Sequence, residues 1–568
     1  MSTVRVTIDQ TTTEVAAETK LADLCEKLDT DPDDPVIAAV VNNEALDLSR
    51  RVRINATVEP VHLTSEPGVR SYRRSLCFLL ALAVQRVQPG RRLIIGHSLG
   101  DSYYHYFDDD QPVDASSLEA LEAEMLRLVE EDIVIERQLI SYQDALDYFT
   151  KRGMTETAAL LDHRNESRVA VHRCGDFLDL SHGPLVPRTG ILRRFALKAL
   201  EPGFVLRSPP RANPNTLRTY RHSNVLYSIY QEYKEWASIL GITSVGRLNQ
   251  KVVDGSIQDF IRVNEALHEK KIADIAAQVA ERRDAVRVVL IAGPSSSGKT
   301  TFTKRLAIQL SAQGLEPHLV SVDDYFVDRE QTPRDEEGNY DFESVHAIDV
   351  PLLNEHLLEI FSGNEVQLPR FDFRSGSRSF TGEKIRMGER GILLMEGIHC
   401  LNDELTPRIK PESKFKVYIS ALTQLNLDDH NRISTTDNRL VRRMVRDYQF
   451  RGHSALDTLT MWPSVRRGER KNIFPYQDSA DIAFNSALDY ELGILKKHAE
   501  PLLRRVKPFH EAYNEAIRML TFLDNFTNIP DKLVPDYSIV REFVGDSGFH
   551  YWAAPPSEAR RPSPPPLA

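Results

Sequence analysis

Residues 287–313 read RVVLIAGPSSSGKTTFTKRLAIQLSAQ, and this stretch decides the fold of the C-terminal half. Val288, Val289 and Ile291 belong to an apolar, β-branched run that breaks at Gly293. Past Gly298-Lys299-Thr300 the pattern resumes with Phe302, Leu306 and Leu310 at helical spacing. Strand, loop and helix in this order, with the spacing Gly293-x4-Gly298-Lys299-Thr300, predict a phosphate-binding loop. Its glycines let the backbone from Gly293 through Ser295, Ser296, Ser297 and Gly298 to Thr301 converge on phosphate oxygens. Lys299 then reaches the β/γ-phosphates and the Thr300 hydroxyl is placed to ligate Mg²⁺. The partial positive charge of the helix N-terminus adds to the attraction.

Outward from this loop, residues 287–550 alternate short apolar runs (Val288–Ala292, His318–Val322, Gly391–Met395, Phe415–Ile419) with helical stretches. The alternation predicts an α/β domain, a parallel sheet wrapped by helices, with ligands at the carboxyl ends of its strands. Asp323 and Asp324 follow one such run and Glu396 follows another. Carboxylates there can hold hydrated Mg²⁺ or take a proton from an attacking hydroxyl, so Thr300, Glu396 and Asp323 are the expected metal-binding set. Further on, Arg439, Arg442, Arg443 and Arg446 crowd neighbouring faces of one helix. Such like-charge pairs cost about 0.2–0.5 kcal/mol each unless bound anions, or Asp437 and Asp447, compensate. A solvated basic helix is the alternative.

Taken together, GPSSSGKTT, the segment SVDDYF (Ser321–Phe326), Asp341-Phe342-Glu343, FDFRSGSR (Phe371–Arg378), MEGI (Met395–Ile398) and DNRLVRRMVRD (Asp437–Asp447) resemble the phosphoribulokinase/uridine kinase family. The resemblance implies ATP and Mg²⁺ as cofactors and Asp323 as general base. It implies catalytic roles for Lys299, Glu396 and Arg443, with Arg439, Arg442 and Arg446 on the nucleotide. Asp324, Tyr325, Phe342, Glu343, Phe371, Phe373, Arg378 and Arg451 would surround the acceptor. Two departures bear on that acceptor: Glu343 stands where the family has an aspartate at the ribose, and Gly376 where uridine kinases present a histidine to the pyrimidine. Loss of a base-reading donor redirects specificity.

The N-terminal half carries a second resemblance. Residues 1–65 alternate at Val4, Val6 and Ile8, pass through a helix near Leu21–Leu28 and return to strands at Val36–Val41 and Val58–Leu63, which predicts a β-grasp domain. Residues 66–200 contain GHSLGDSYYHYF (Gly96–Phe107) and HRCGDFLDLSHGPLVPRTG (His172–Gly190), with an amphipathic helix marked by Leu118, Leu121, Met125, Leu128 and Val129 between them. These segments resemble the TGS and the second additional, editing-type domain of threonyl-tRNA synthetases, an α+β unit. Of the four residues that form that family's editing constellation, His97 is kept, whereas Asp101, Ser181 and Leu185 replace the others. Leucine neither ligates a metal nor moves a proton, so editing is not expected, and a rearranged site from His97, His105, Cys174 and His182 is the remaining metal alternative. Residues 201–286 read as a helical connector, and residues 551–568, rich in proline, as a disordered tail.

Composition bounds the rest. A chain of 568 residues exceeds one core, and a net charge of −11 argues against indiscriminate nucleic-acid binding. Cys25, Cys77, Cys174 and Cys400 form no CxxC pair, so reduced thiols in a cytoplasmic protein are expected. The apolar run Leu76–Val84 is too short to span a bilayer. The expected function is transfer of the γ-phosphoryl of ATP to a hydroxyl of a small, nucleoside-like acceptor. A sugar or sugar-phosphate kinase, or a tRNA- or ribosome-associated nucleotide switch, are the alternatives. The N-terminal resemblance implies contact with tRNA, and a homo-oligomer is left open.

Overall fold

The computed structural model describes residues 2–28, 31–100, 102–109, 111–210, 213, 216–220, 224–334, 338, 340–372, 375–380 and 383–549. At the N-terminus a five-stranded sheet runs in the spatial order Thr11–Ala16, Thr3–Ile8, Ala56–His62, Val36–Val41, Glu44–Asp47. The first strand and Ala56–His62 pair in parallel at its centre, Val6 opposite Ala56. Alternation puts Val4 and Val6 on the buried face, where helix Leu21–Cys25 covers them with Leu21 and Cys25. The result is the expected β-grasp arrangement.

Helix Glu66–Val87 leads into an α+β unit; the Ser65 hydroxyl caps it by accepting from the Gly68 N–H. Its four-stranded sheet has the order Ala196–Leu200, Gly203–Arg207, Ser102–Phe107, Leu93–Leu99. The hairpin Ala196–Leu200/Gly203–Arg207 straddles residue 200, so the connector does not begin at 201 as expected; Phe204 and Leu206 are core residues of this unit. Helix Ala115–Glu131 buries Leu118, Leu121, Met125 and Leu128 against the same core. A three-stranded sheet, Glu136–Ser141, Arg168–Cys174 and Phe177–Leu180, completes the unit.

Helices Asn224–Leu240, Val245–Val253 and Ile257–Glu281 follow, and the last packs on the P-loop helix Lys299–Ala312. The C-terminal sheet is all parallel, in the order Glu316–Ser321, Gly391–Glu396, Val288–Ala292, Lys414–Ser420, Ile482–Asn485. Its central strands are buried on both faces, which is why they read as unbroken apolar runs. Val289 and Ile291 face one core and Val288 and Leu290 the other. The core on the Val289 side continues without interruption through Leu248 and Ile261 to Val169, Val171, Leu178 and Leu180 of the α+β unit. Among the described residues no helix is long and apolar enough to cross a membrane.

Candidate active site

The strand ends at Ala292, Ser321 and Glu396 lie side by side because Ile291 and Ser321 both pair with Glu396. The register therefore brings the loop, Asp323 and Glu396 to one edge of the sheet. Gly293 is required by close approach: a Cβ there would meet the Ile419 carbonyl oxygen at 2.2 Å. The Lys299 Nζ is folded over the loop, donating to the carbonyls of Gly293 at 3.0 Å and Pro294 at 3.3 Å. The Thr300 hydroxyl donates to Glu396 Oε1 at 3.1 Å. The hydroxyl oxygens of Ser296 and Ser297 are buried without a hydrogen-bond partner. Orphaned buried donors inside a glycine-spaced loop fit an anionic guest, so this cradle suits the triphosphate of ATP. Thr300 with Glu396 and Asp323 would hold Mg²⁺, which keeps most of its waters and takes only one or two carboxylates.

Electrostatics ties these groups together. Burial raises the Asp323 carboxyl, while Lys299, Arg451 and Arg446 pull it back. Burial also pushes Glu396 up to about 7, against Lys299 and with Asp323 and Glu542 adding to the rise. Glu343 is likewise pushed up to about 7 by burial and by Glu469, with Arg443 opposing. The site thus holds three carboxyls whose ionised forms are costly until cations arrive.

The arginine helix Thr435–Arg451 divides its labour. Arg443 donates to the Ser295 hydroxyl at 2.9 Å, and Arg443, Arg446 and Arg451 share Asp447, which is fully buried beneath them. Arg439 donates to the Ser295 carbonyl at 2.9 Å and pairs with Glu469. Arg442 corrects an expectation. Its guanidinium is completely buried and committed to Glu491 at 2.5 Å, to the Ser486 carbonyl at 2.8 Å and to the Ser296 carbonyl at 3.3 Å. It props the loop from behind instead of facing a phosphate. Asp437 pairs with Arg518, leaving Asp447 as the compensating acid.

On the acceptor side Asp324 Oδ1 accepts from the Phe371 N–H at 3.3 Å, which ties the segment after Ser321 to the hairpin Arg370–Asp372/Ser377–Ser379. Phe326 lies against Phe371 with the rings tilted by 44° and meets Phe342 edge-on. Tyr325 is a second correction: its ring is buried and its hydroxyl is bonded to His356 Nδ1 at 3.0 Å, so it is part of the core and not of the acceptor wall. Arg378 is ion-paired with Asp349 at 2.8 Å. Glu343 leans on Gly468 of helix Ala455–Asn472. Phe373 lies outside the described residues. Gly376 occupies a turn with φ +71°, a conformation that suits glycine and disfavours the histidine expected there.

Two further carboxylates touch the loop and escaped sequence reasoning. Glu469 Oε1 accepts from the Ser295 N–H at 3.1 Å, and Glu542 Oε2 from the Thr301 N–H at 3.1 Å. Neither sits in a recognisable motif; each reaches the loop only through long-range packing.

The synthetase-like cleft is filled from the C-terminal half. His182 Nε2 bonds to Asp428 Oδ2 at 2.7 Å, His430 Nδ1 to Asp179 at 3.1 Å, and Thr157 donates its N–H and hydroxyl to Asp429 at 3.0 and 2.8 Å. Burial would lower His430, but Asp179, Asp429 and Asp428 outweigh it and push it up to about 9. His97 stacks on Tyr230 and burial drives it down to about 3; His105 stacks on Phe204; Cys174 packs in the core under Phe177. Leu185 is buried, and Asp101 lies outside the described residues. The rearranged metal alternative is not assembled: among the described residues no group of three or more His, Cys, Asp or Glu could hold a metal.

With this geometry in place, residues 288–492 match the model of the Phosphoribulokinase / Uridine kinase family. The N-terminal part is similar to threonine–tRNA ligases: 36% identical over 166 residues to that of Oleidesulfovibrio alaskensis (29% of this chain, 26% of the relative). It is 33% identical over 162 residues to that of Carboxydothermus hydrogenoformans (28% and 26%). The chain spans about a quarter of the length of these curated relatives. Among solved structures it is similar to a possible uridine kinase from Bacillus stearothermophilus (19% identity, 37% of this chain, 100% of that one, TM-score 0.22). A putative fructose transport system kinase from Silicibacter sp. TM1040 is also similar (16% identity, 38% and 98%, TM-score 0.25). The chain therefore joins a P-loop kinase-family domain to synthetase-like modules.

Proposed function

We propose that the protein is a cytoplasmic kinase that transfers the γ-phosphoryl of ATP to a hydroxyl of a nucleoside-like metabolite. The observation that carries this is the convergence of Lys299, Thr300–Glu396 and Asp323 at adjoining strand ends, with Arg443, Arg446 and Arg451 set against them. ATP with Mg²⁺ supplies an electrophilic phosphoryl group whose charge is partly neutralised. Lys299 and the loop amides would hold its β/γ-phosphates, and Thr300, Glu396 and Asp323 would hold the metal. Asp323 orients the acceptor hydroxyl and takes its proton, while Arg443, Arg446 and Arg451 balance the charge that spreads over the transferring oxygens. Catalysis of this kind is positioning and electrostatics.

For the acceptor, the pairing of Arg378 with Asp349 and the acidic side chains Glu343 and Asp324 support a neutral polyhydroxyl compound over a sugar phosphate. The four cysteines are buried and form no disulfide, in keeping with a reducing compartment. The test is a screen of ATP consumption against nucleosides, sugars and sugar phosphates, run beside Asp323→Asn. Loss of the general base lowers turnover by about 10²–10⁴, with ATP affinity retained. Full turnover in Asp323→Asn would sink the assignment.

A further inference from the structure

Residues 493–549 follow the segment that matches the kinase family, and they return to the phosphate loop. The short helix Arg541–Val544 is pinned by Arg541, which donates to the carbonyls of Asp531 at 3.0 Å and Val534 at 2.7 Å. Phe543 lies against the Arg442 guanidinium, 4.9 Å from its ring centre. Ile539 closes on the loop itself: a Cβ at Gly298 would lie 2.7 Å from its Cγ2. These anchors aim Glu542 at the first turn of the P-loop helix. There Oε2 accepts from the Thr301 N–H at 3.1 Å and from the Thr301 hydroxyl at 2.5 Å.

First-turn N–H groups have no acceptor within their own helix, and in a loop of this spacing they are the groups that cradle nucleotide phosphates. A carboxylate on Thr301 therefore takes a donor that a phosphate oxygen would use, and its charge repels the phosphate as well. The same charge acts on Glu396 and on Lys304. At the opposite edge of the loop Glu469 holds the Ser295 N–H. Carboxylates thus occupy loop donors on both sides of the orphaned Ser296 and Ser297 hydroxyls.

We propose that Glu542 is an internal competitor of the nucleotide: the C-terminal segment must withdraw from Thr301 before phosphates bind, and so sets nucleotide affinity. The proposal rests on the nucleotide-binding reading of the loop. Its test measures ATP·Mg²⁺ binding by calorimetry without any acceptor, in the full chain and in Glu542→Gln, which keeps the shape and removes the charge. The substitution should tighten binding by about tenfold. Hydrogen exchange in the unaltered protein gives a second measurement, with amides 538–545 exchanging faster once ATP is bound. Equal or weaker binding in a folded Glu542→Gln protein, or unchanged or slower exchange at 538–545 in ATP-bound wild type, overturns the competition alone. If neither protein binds ATP, the competition falls together with the reading of the loop.

Discussion

Replacing Glu396 by glutamine should stabilise the ligand-free protein, and the gain should grow with pH. In the folded chain this carboxyl titrates at about 7, against an ordinary value of 4.5, because burial beside Asp323 and Glu542 disfavours its charge. Between those two values the folded state keeps a proton that the unfolded chain has released, so stability falls as pH rises through the window. Each pH unit of that window is worth about 1.4 kcal/mol. The full burden above pH 7 is therefore roughly 3 kcal/mol, and most of it is absent at pH 5. Glu396→Gln removes the burden while keeping an acceptor for the Thr300 hydroxyl. Denaturant titrations without Mg²⁺ or nucleotide should give a gain about 2 kcal/mol larger at pH 8 than at pH 5. Mg²⁺ should stabilise the wild type at pH 8 and leave the variant unmoved. A gain that is the same at both pH values, or larger at pH 5, would refute the idea that an unneutralised carboxylate is stored at the metal position.

Glu469→Gln leaves Arg439 buried without its counter-charge, which should cost about 3–5 kcal/mol and appear as a lower denaturation midpoint; an unchanged midpoint would show the pair to be dispensable. Filter binding with bulk tRNA, with and without ATP, separates the kinase reading from a tRNA- or ribosome-associated nucleotide switch: submicromolar retention that changes with ATP, without any phosphorylated product, would favour the switch. Retention no stronger than that of a neutral control protein would remove tRNA as a partner.

The loop and the two acids after neighbouring strands are legible because each is a local pattern: glycine spacing at Gly293 and Gly298, or an acid directly after an apolar run at Asp323 and Glu396. Parallel pairing then carries such local signals into a shared site. Arg442 escapes such reading because spacing shows that four arginines share a helix without showing which flank meets the core. Leu440, Val441, Met444 and Val445 are all buried, and Arg442 goes inward with them, a burial made tolerable by Glu491 some fifty residues away. Tyr325 escapes it for the related reason that a resemblance to a motif does not tell which side of a one-turn helix faces the cleft. The fifth parallel strand, Ile482–Asn485, has only four residues and a mixed pattern, too little for periodicity to mark. Glu542 is the extreme case, a lone acid in an irregular segment that meets Thr301 across 241 residues.

The segment Leu425–Arg432, wedged between His182, Asp179 and Thr157, runs directly into Ser434, the cap of the arginine helix. The helix is thus rooted in the synthetase-like half, and Asp437 clamps that root to Arg518 at 2.7 Å. The far end of the helix is Gly452, in the left-handed conformation with φ +71°. Arg439 and Arg442 lie toward the rooted end, whereas Arg446 and Arg451 lie toward the far end, where with Arg443 they surround the buried Asp447. The N-terminal half thereby serves as the mount from which the arginines are presented, and cutting the chain between the halves would take away that anchor as well as expose a shared core.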